Sequence, residues 1–201
     1  SAGDKDAHVA KVTPAGTVSW ATSAGGTGVD WSMGVSALDD GSSVVTGFFS
    51  STPARFGDTP LETAGGNDIF VAGVTPQGRF AWAIRGGGTG ADRGQAVATQ
   101  PDGSATVTGF YAGTGNATFG TTPLPAGSGS NVLVARVQPG GQVAWATGTG
   151  GAGTNRGTGV TSPSNASSTV VGFFAQAITF GPTILAGQSG TNPFVANYRT
   201  P

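Results

Sequence analysis

An acidic or amide residue recurs three times along the chain, as Asp30, Asp92 and Asn155, and a planar side chain follows each one: Trp31, Arg93 and Arg156. A carboxylate or amide oxygen accepts hydrogen bonds from hydroxyls, and an indole or guanidinium plane can lie against the apolar face of a sugar ring. These six residues are therefore the candidate ligand-binding set. A structural role competes with that one and is the weightier of the two. Each Asp or Asn ends a Gly-rich run, where such side chains routinely cap backbone N–H groups. The unequal neighbours also argue against three identical pockets. Trp31 occurs once, in an expected loop, and is the best contact candidate. Trp20, Trp82 and Trp145 recur in every unit and are expected to pack the units together, since aromatic side chains bury the most area per residue.

Catalytic sets are poorly supplied. His8 is the only histidine, there is no cysteine, Glu62 is the only glutamate, and no carboxylate side chain follows Asp102. Histidine-based metal clusters and charge-relay triads are thereby excluded. A carboxylate pair for glycoside hydrolysis would have to come from Asp30, Asp58, Asp68 or Asp92, each better explained as a turn residue. Asp39-Asp40-Gly41 and Asp102-Gly103 lack the spaced oxygens of a calcium loop. Gly86-Gly87-Gly88-Thr89-Gly90 lacks the Lys-Ser/Thr of a phosphate loop. The expectation is a non-enzyme without cofactor or metal. The formal net charge is -1, and nine Lys and Arg are spread thinly from Lys5 to Arg199. Nucleic acid is therefore a poor partner. No run of 18 apolar residues suggests a membrane span.

The elements that must hold these residues come from an internal repeat. Trp20, Trp82 and Trp145 stand 62 and 63 residues apart, and Phe48-Phe49, Phe110-Tyr111 and Phe173-Phe174 keep that spacing, each pair after a glycine. Phe56-Gly57, Phe119-Gly120 and Phe180-Gly181 follow, and Val9-Ala10, Val71-Ala72, Val134-Ala135 and Val195-Ala196 give four copies of one further strand. Within a unit the alternation is that of strands: residues 8–12, 17–22, 33–38 and 43–49, separated by turn signals at Pro14-Ala15-Gly16, Gly25-Gly26-Thr27-Gly28 and Asp39-Asp40-Gly41. A longer segment, 50–66, follows. The fold class is all-β, with three repeats of mainly four antiparallel strands, the plan of β-propeller blades. A β-solenoid is the alternative. The repeats span 1–66, 67–130 and 131–191, and 192–201 is the first strand of a fourth unit or a closing strand. Alternation of strand direction places the Pro-x-Gly and Asp-Gly turns at one end and the Gly-rich and Phe-Gly loops at the other.

The repeated order of F-V-A, P-x-G, W-A, G-G-T-G-x-D, D-G-x-x-x-V-T-G-F and F-G-x-T-P-L resembles the SBBP-type β-propeller repeat of bacterial surface and secreted proteins. The third unit departs from it at Ala152-Gly153-Thr154-Asn155 and Ser164-Asn165-Ala166. The resemblance implies a propeller and an extracellular or cell-surface address. Charged residues are only 9% of the chain, against about 25% in an average globular protein, which leans the same way. No leader is legible, and a start at Ser1 fits one already removed. Three blades cannot close a ring, since propellers carry four to eight. The chain is therefore expected to partner itself, as a dimer closing a six-bladed ring, or to be part of a longer array or filament. Functionally it reads as a non-catalytic structural or interaction scaffold. The alternative is a multivalent lectin-like binder of surface glycans.

Overall fold

The computed structural model of the chain describes residues 3–112, 115–149 and 151–199. Residues 1–2 of the first repeat, 113–114 of the second, 150 of the third and 200–201 of the closing segment lie outside the described residues. The described chain is all-β and antiparallel, with no helix. Strands β1 (Ala7–Val12) and β2 (Val18–Ala24) form a hairpin of their own. β3 (Asp30–Ala37) and β4 (Ser43–Phe49) follow, then a short hairpin, β5 (Ala54–Phe56) and β6 (Thr59–Leu61). β7 (Asp68–Val74) and β8 (Phe80–Gly87) complete a sheet in which β3, β4, β7 and β8 lie side by side in that order.

The pattern then repeats. β9 (Arg93–Thr99) and β10 (Ala105–Ala112) lead through the small hairpin β11 (Thr118–Phe119) and β12 (Thr122–Pro123) to β13 (Ser130–Val137) and β14 (Val143–Thr149). The second sheet runs β9-β10-β13-β14. The third contains β15 (Arg156–Ser164), β16 (Ser167–Phe180) and β17 (Thr183–Arg199). In it the small hairpin is fused into the ends of two long strands around Phe180-Gly181. Each four-stranded sheet thus takes two strands from one sequence repeat and two from the next. The strands expected at 8–12, 17–22 and 43–49 are present, whereas that expected at 33–38 starts earlier, so Trp31 lies on a strand and not in a loop. The hairpins β5–β6 and β11–β12 within the long connections were not expected.

Repeat register explains the packing. On β4, Val45 and Phe49 face one way with Phe70, Ala72 and Val74 of β7, and pack with Ala7 and Ala24 of the first hairpin. Val44, with Ile69 and Val71, faces the other way and packs with Val97, Val107 and Leu133 of the second sheet. Val132 and Val134 pass the pattern on to Val170, Phe174 and Phe194. The sheets therefore stack in series, each with one face toward its predecessor and one toward its successor. The first strands β3, β9 and β15 also adjoin their neighbours directly, linked for example by the Ser36 and Thr99 hydroxyls at 2.8 Å. Among the described residues the sheets close neither a barrel nor a ring.

The tryptophans fasten successive layers, as the repeat predicts. Trp20 Nε1 donates to the Pro76 carbonyl at 2.9 Å, and its ring lies over Gly78. The Trp82 ring lies over Gly141 in the same way, and Trp145 stacks on Tyr198 with centroids 6.1 Å apart. The small hairpins act as clasps. Arg55 exchanges backbone hydrogen bonds with Gly25 at the end of β2, and β11 pairs with the end of β8. Their phenylalanines fill the space between layers: Phe56 is fully buried within 4.7 Å of the Phe70 ring, 5.6 Å of Phe80 and 6.4 Å of Phe49. Gly57 at φ 60 opens the two-residue turn after it, as a type II′ hairpin requires. Phe56→Ala is expected to cost about 3–5 kcal/mol, read as a lower denaturation midpoint, with Phe56→Leu losing much less.

Candidate functional site

The six candidate residues sit at the strand ends where one sheet's last strand turns into the next sheet's first. Asp30 opens β3, while Asp92 and Asn155 stand just before β9 and β15. All three are fully buried. Asp30 accepts from Gly26 N at 2.8 Å and Ser50 N at 3.1 Å, and from the Ser51 hydroxyl. Asp92 accepts from Gly88 N at 2.7 Å and Ala112 N at 2.6 Å. Asn155 accepts from Ala175 N at 3.2 Å and donates to the carbonyls of Ser130 at 2.9 Å and Gly151 at 3.3 Å. The shared geometry is one bond to the residue four back and one to the residue twenty ahead. These side chains hold the Gly-rich corner to the following long connection, and they face the chain's own backbone.

The corner dictates its glycines. Gly25 and Gly87 adopt φ 148 and 133, a region that favours glycine. A Cβ on Gly25 would collide with the Asp30 carboxylate, and one on Gly87 with the carboxylates of both Asp68 and Asp92. Asp68 is a second cap that sequence reasoning passed over as a turn residue. Its Oδ2 accepts from Ala64 N at 2.6 Å and its Oδ1 lies 3.3 Å from Arg85 Nη1. Asn131 stands at its place in the next unit. Burial pushes the Asp68 carboxyl up to about 6, against the Ala64 N–H and the Arg85 charge, with the Asp92 carboxylate adding to the rise. Asp92 is raised as well, again by burial.

The planar residues divide. Arg93 lies over the Phe48 ring at 4.6 Å and Arg156 over Phe110 at 4.3 Å, and the Nε atom of each is buried without a hydrogen-bond partner. Each guanidinium thus covers an aromatic ring of the preceding sheet. Trp31 is different: it is 49% exposed, with Lys5 Nζ 4.9 Å from its ring. Trp31, Phe48, Ser50, Asn67 and Arg93 line a groove of about 410 Å³, within the size range of small-molecule sites. The structure thus brings Trp31 and Arg93 to one groove and leaves Asp30, Asp92 and Asn155 inside the corners. Asn67 and Ser50 are groove residues that carried no sequence signal. Among the described residues no group of three or more His, Cys, Asp or Glu side chains is placed to hold a metal ion.

At the opposite end the Asp-Gly and Pro-x-Gly turns gather, as strand alternation predicts, with Asp40, Pro76, Gly103 and Pro139 around one depression. Arg136 ties two of these turns together, donating to Asp102 Oδ2 at 2.8 Å and to the Asn165 carbonyl. Comparison with protein-family models and with curated proteins finds no match to this chain.

Two outcomes are expected of the corner. Asp92→Ala leaves the N–H groups of Gly88 and Ala112 without their acceptor at a buried site, at a cost of about 1–3 kcal/mol each, measurable by denaturant unfolding. Asp68 binds its proton more tightly folded than unfolded, so between about pH 4 and pH 6 the folded form holds the extra proton. Its contribution is full below the ordinary carboxyl value of 3.8 and is lost as pH rises through about 6. Asp68→Asn, the residue the next unit carries, should flatten that part of the stability–pH curve, followed by unfolding at fixed denaturant.

Proposed function

We propose that the chain is a non-catalytic scaffold of SBBP-type propeller blades, displayed at the surface of a bacterium or secreted from it, whose business is contact with other protein. The observation that carries this reading is the treatment of its polar recurring residues. Asp30, Asp92 and Asn155 are spent on backbone caps, and Arg93 and Arg156 on rings of the neighbouring sheet. What repeats is the means of stacking one layer on the next. A sheet of four antiparallel strands whose first strand adjoins that of the next sheet is the layout of a blade. In this reading three blades either meet a second chain to make a six-bladed ring or form part of a longer array. The thinly charged surface and the repeated motifs support an extracellular setting.

The Trp31 groove favours a second reading, a glycan-binding module. There a half-exposed indole adjoins Arg93 and the side chains of Ser50 and Asn67, a mixture of flat and polar groups suited to one sugar ring. A screen of immobilised glycans separates the two. The scaffold reading expects no saccharide retained above background. Binding that Trp31→Ala removes, with the unfolding midpoint unchanged, would replace it by the lectin reading.

A further inference from the structure

The arginines that are not exposed fall into two kinds. Arg85 lies 3.3 Å from Asp68 and Arg136 2.8 Å from Asp102, so each has a carboxylate. Arg93 and Arg156, half-buried at the starts of β9 and β15, have none among the described residues. Each lies over a ring of the preceding sheet, with its Nε atom buried and without a hydrogen-bond partner. A ring attracts the face of a guanidinium and leaves unused the edge from which its N–H donors point. A cation drawn partly out of water without an anion is held at a cost. A carboxylate, which takes two of those donors at once, relieves it.

Arg93 is the one with a groove in front of it. The cavity of about 410 Å³ lies between β3 and β9, the first strands of two successive sheets, so both of its walls come from within the chain. Of its polar groups, the Ser50 hydroxyl is already engaged, donating to the Val29 carbonyl at 3.0 Å and accepting from the Val29 N–H at 2.8 Å. The side-chain amide of Asn67, half-buried in the same wall, makes no hydrogen bond among the described residues. The groove thus presents donors and contains no carboxylate. Lys5 adds a second positive charge beside the Trp31 ring. The carboxylates of the hairpin turns, Asp39, Asp40 and Asp102, border a different depression at the other end of the strands. The remaining walls are apolar, with Trp31, Met33 and Phe48 around the charge. Arginine, aromatic residues and methionine are the types enriched where proteins meet. A saccharide's many hydroxyls would find one free side-chain acceptor there, the Asn67 amide oxygen.

The geometry points to this groove as a docking site for an acidic segment of a partner protein. One carboxylate of that segment meets Arg93 and Asn67, and a neighbouring apolar side chain meets Trp31 and Met33. The inference rests on the scaffold reading and names the chemistry of the protein it contacts. At the next junction Arg156 lies over Phe110, and Arg93 stands in the place of the indole, so one segment is expected per chain.

Fluorescence anisotropy of a labelled short peptide of alternating leucine and glutamate tests it, with the leucine–glutamine peptide as the neutral counterpart. The glutamate peptide is expected to saturate the wild-type chain at one copy each. The glutamine peptide should bind about ten-fold more weakly or not at all, the loss expected of a charge-assisted hydrogen bond. Arg93→Gln should weaken the glutamate peptide by a similar factor and leave the glutamine peptide unchanged. Arg79→Gln, the same change of charge at an exposed turn, should leave both as they were. Circular dichroism checks that each variant is folded; if Arg93→Gln is not, the two peptides on the wild-type chain decide alone. The inference is overturned by no saturable binding of the glutamate peptide, by equal binding of the two peptides, or by undiminished binding to folded Arg93→Gln. Polygalacturonate, which carries its carboxylates on sugars, is the remaining arm. Its binding in place of the peptide, lost in Arg93→Gln, would make this an acidic-glycan site and defeat the scaffold reading as well. A chain that binds neither peptide nor glycan overturns the docking site and spares the scaffold reading.

Discussion

The corner between one sheet and the next rests on a buried hydrogen-bond acceptor. Asp30, Asp92 and Asn155 each reach one backbone N–H or carbonyl four residues behind and one N–H twenty residues ahead. This joins the exit of one sheet to the middle of the next. Such a buried site draws backbone donors onto one side chain from both directions along the chain. It also forbids side chains nearby, which is why the preceding residues are glycine. Long runs of glycine cost conformational entropy on folding. Here that cost is met by a fixed set of bonds at each corner, so a chain this rich in glycine is ordered.

Above the corner, stacking follows from the period of two. Alternate residues of β4 and β7 serve the predecessor and the successor, so one strand belongs to two hydrophobic layers at once. The clasping hairpins add a second connection, since the segment inside one sheet's long connection pairs with the last strand of the sheet before it. Neighbouring layers are thereby linked by backbone hydrogen bonds, by a buried phenylalanine and by a tryptophan laid over a turn glycine.

Much of this was legible in the sequence. The period of the tryptophans located the units, the alternation around Val9, Val45 and Val71 located strands, and Asp-Gly and Pro-x-Gly located turns. Three things were not. Phe56-Gly57-Asp58-Thr59 pairs as a hairpin only because a neighbouring strand end is there to receive it, which is a tertiary fact. Asp30 was visible as a cap or a ligand contact, and only its burial decides how its oxygens are used. The phase of the sheets was hidden as well. A repeat read from sequence has no preferred starting point, and pairing of β4 with β7 lies across the boundary drawn at residue 66.

That phase has a consequence for how such genes change length. Since every sheet draws on two successive repeats, a cut at any one position in the motif severs a sheet, yet removing or inserting a whole period there rejoins matching halves. Recombination between misaligned copies would then lengthen or shorten the protein without leaving any interior sheet short of a strand.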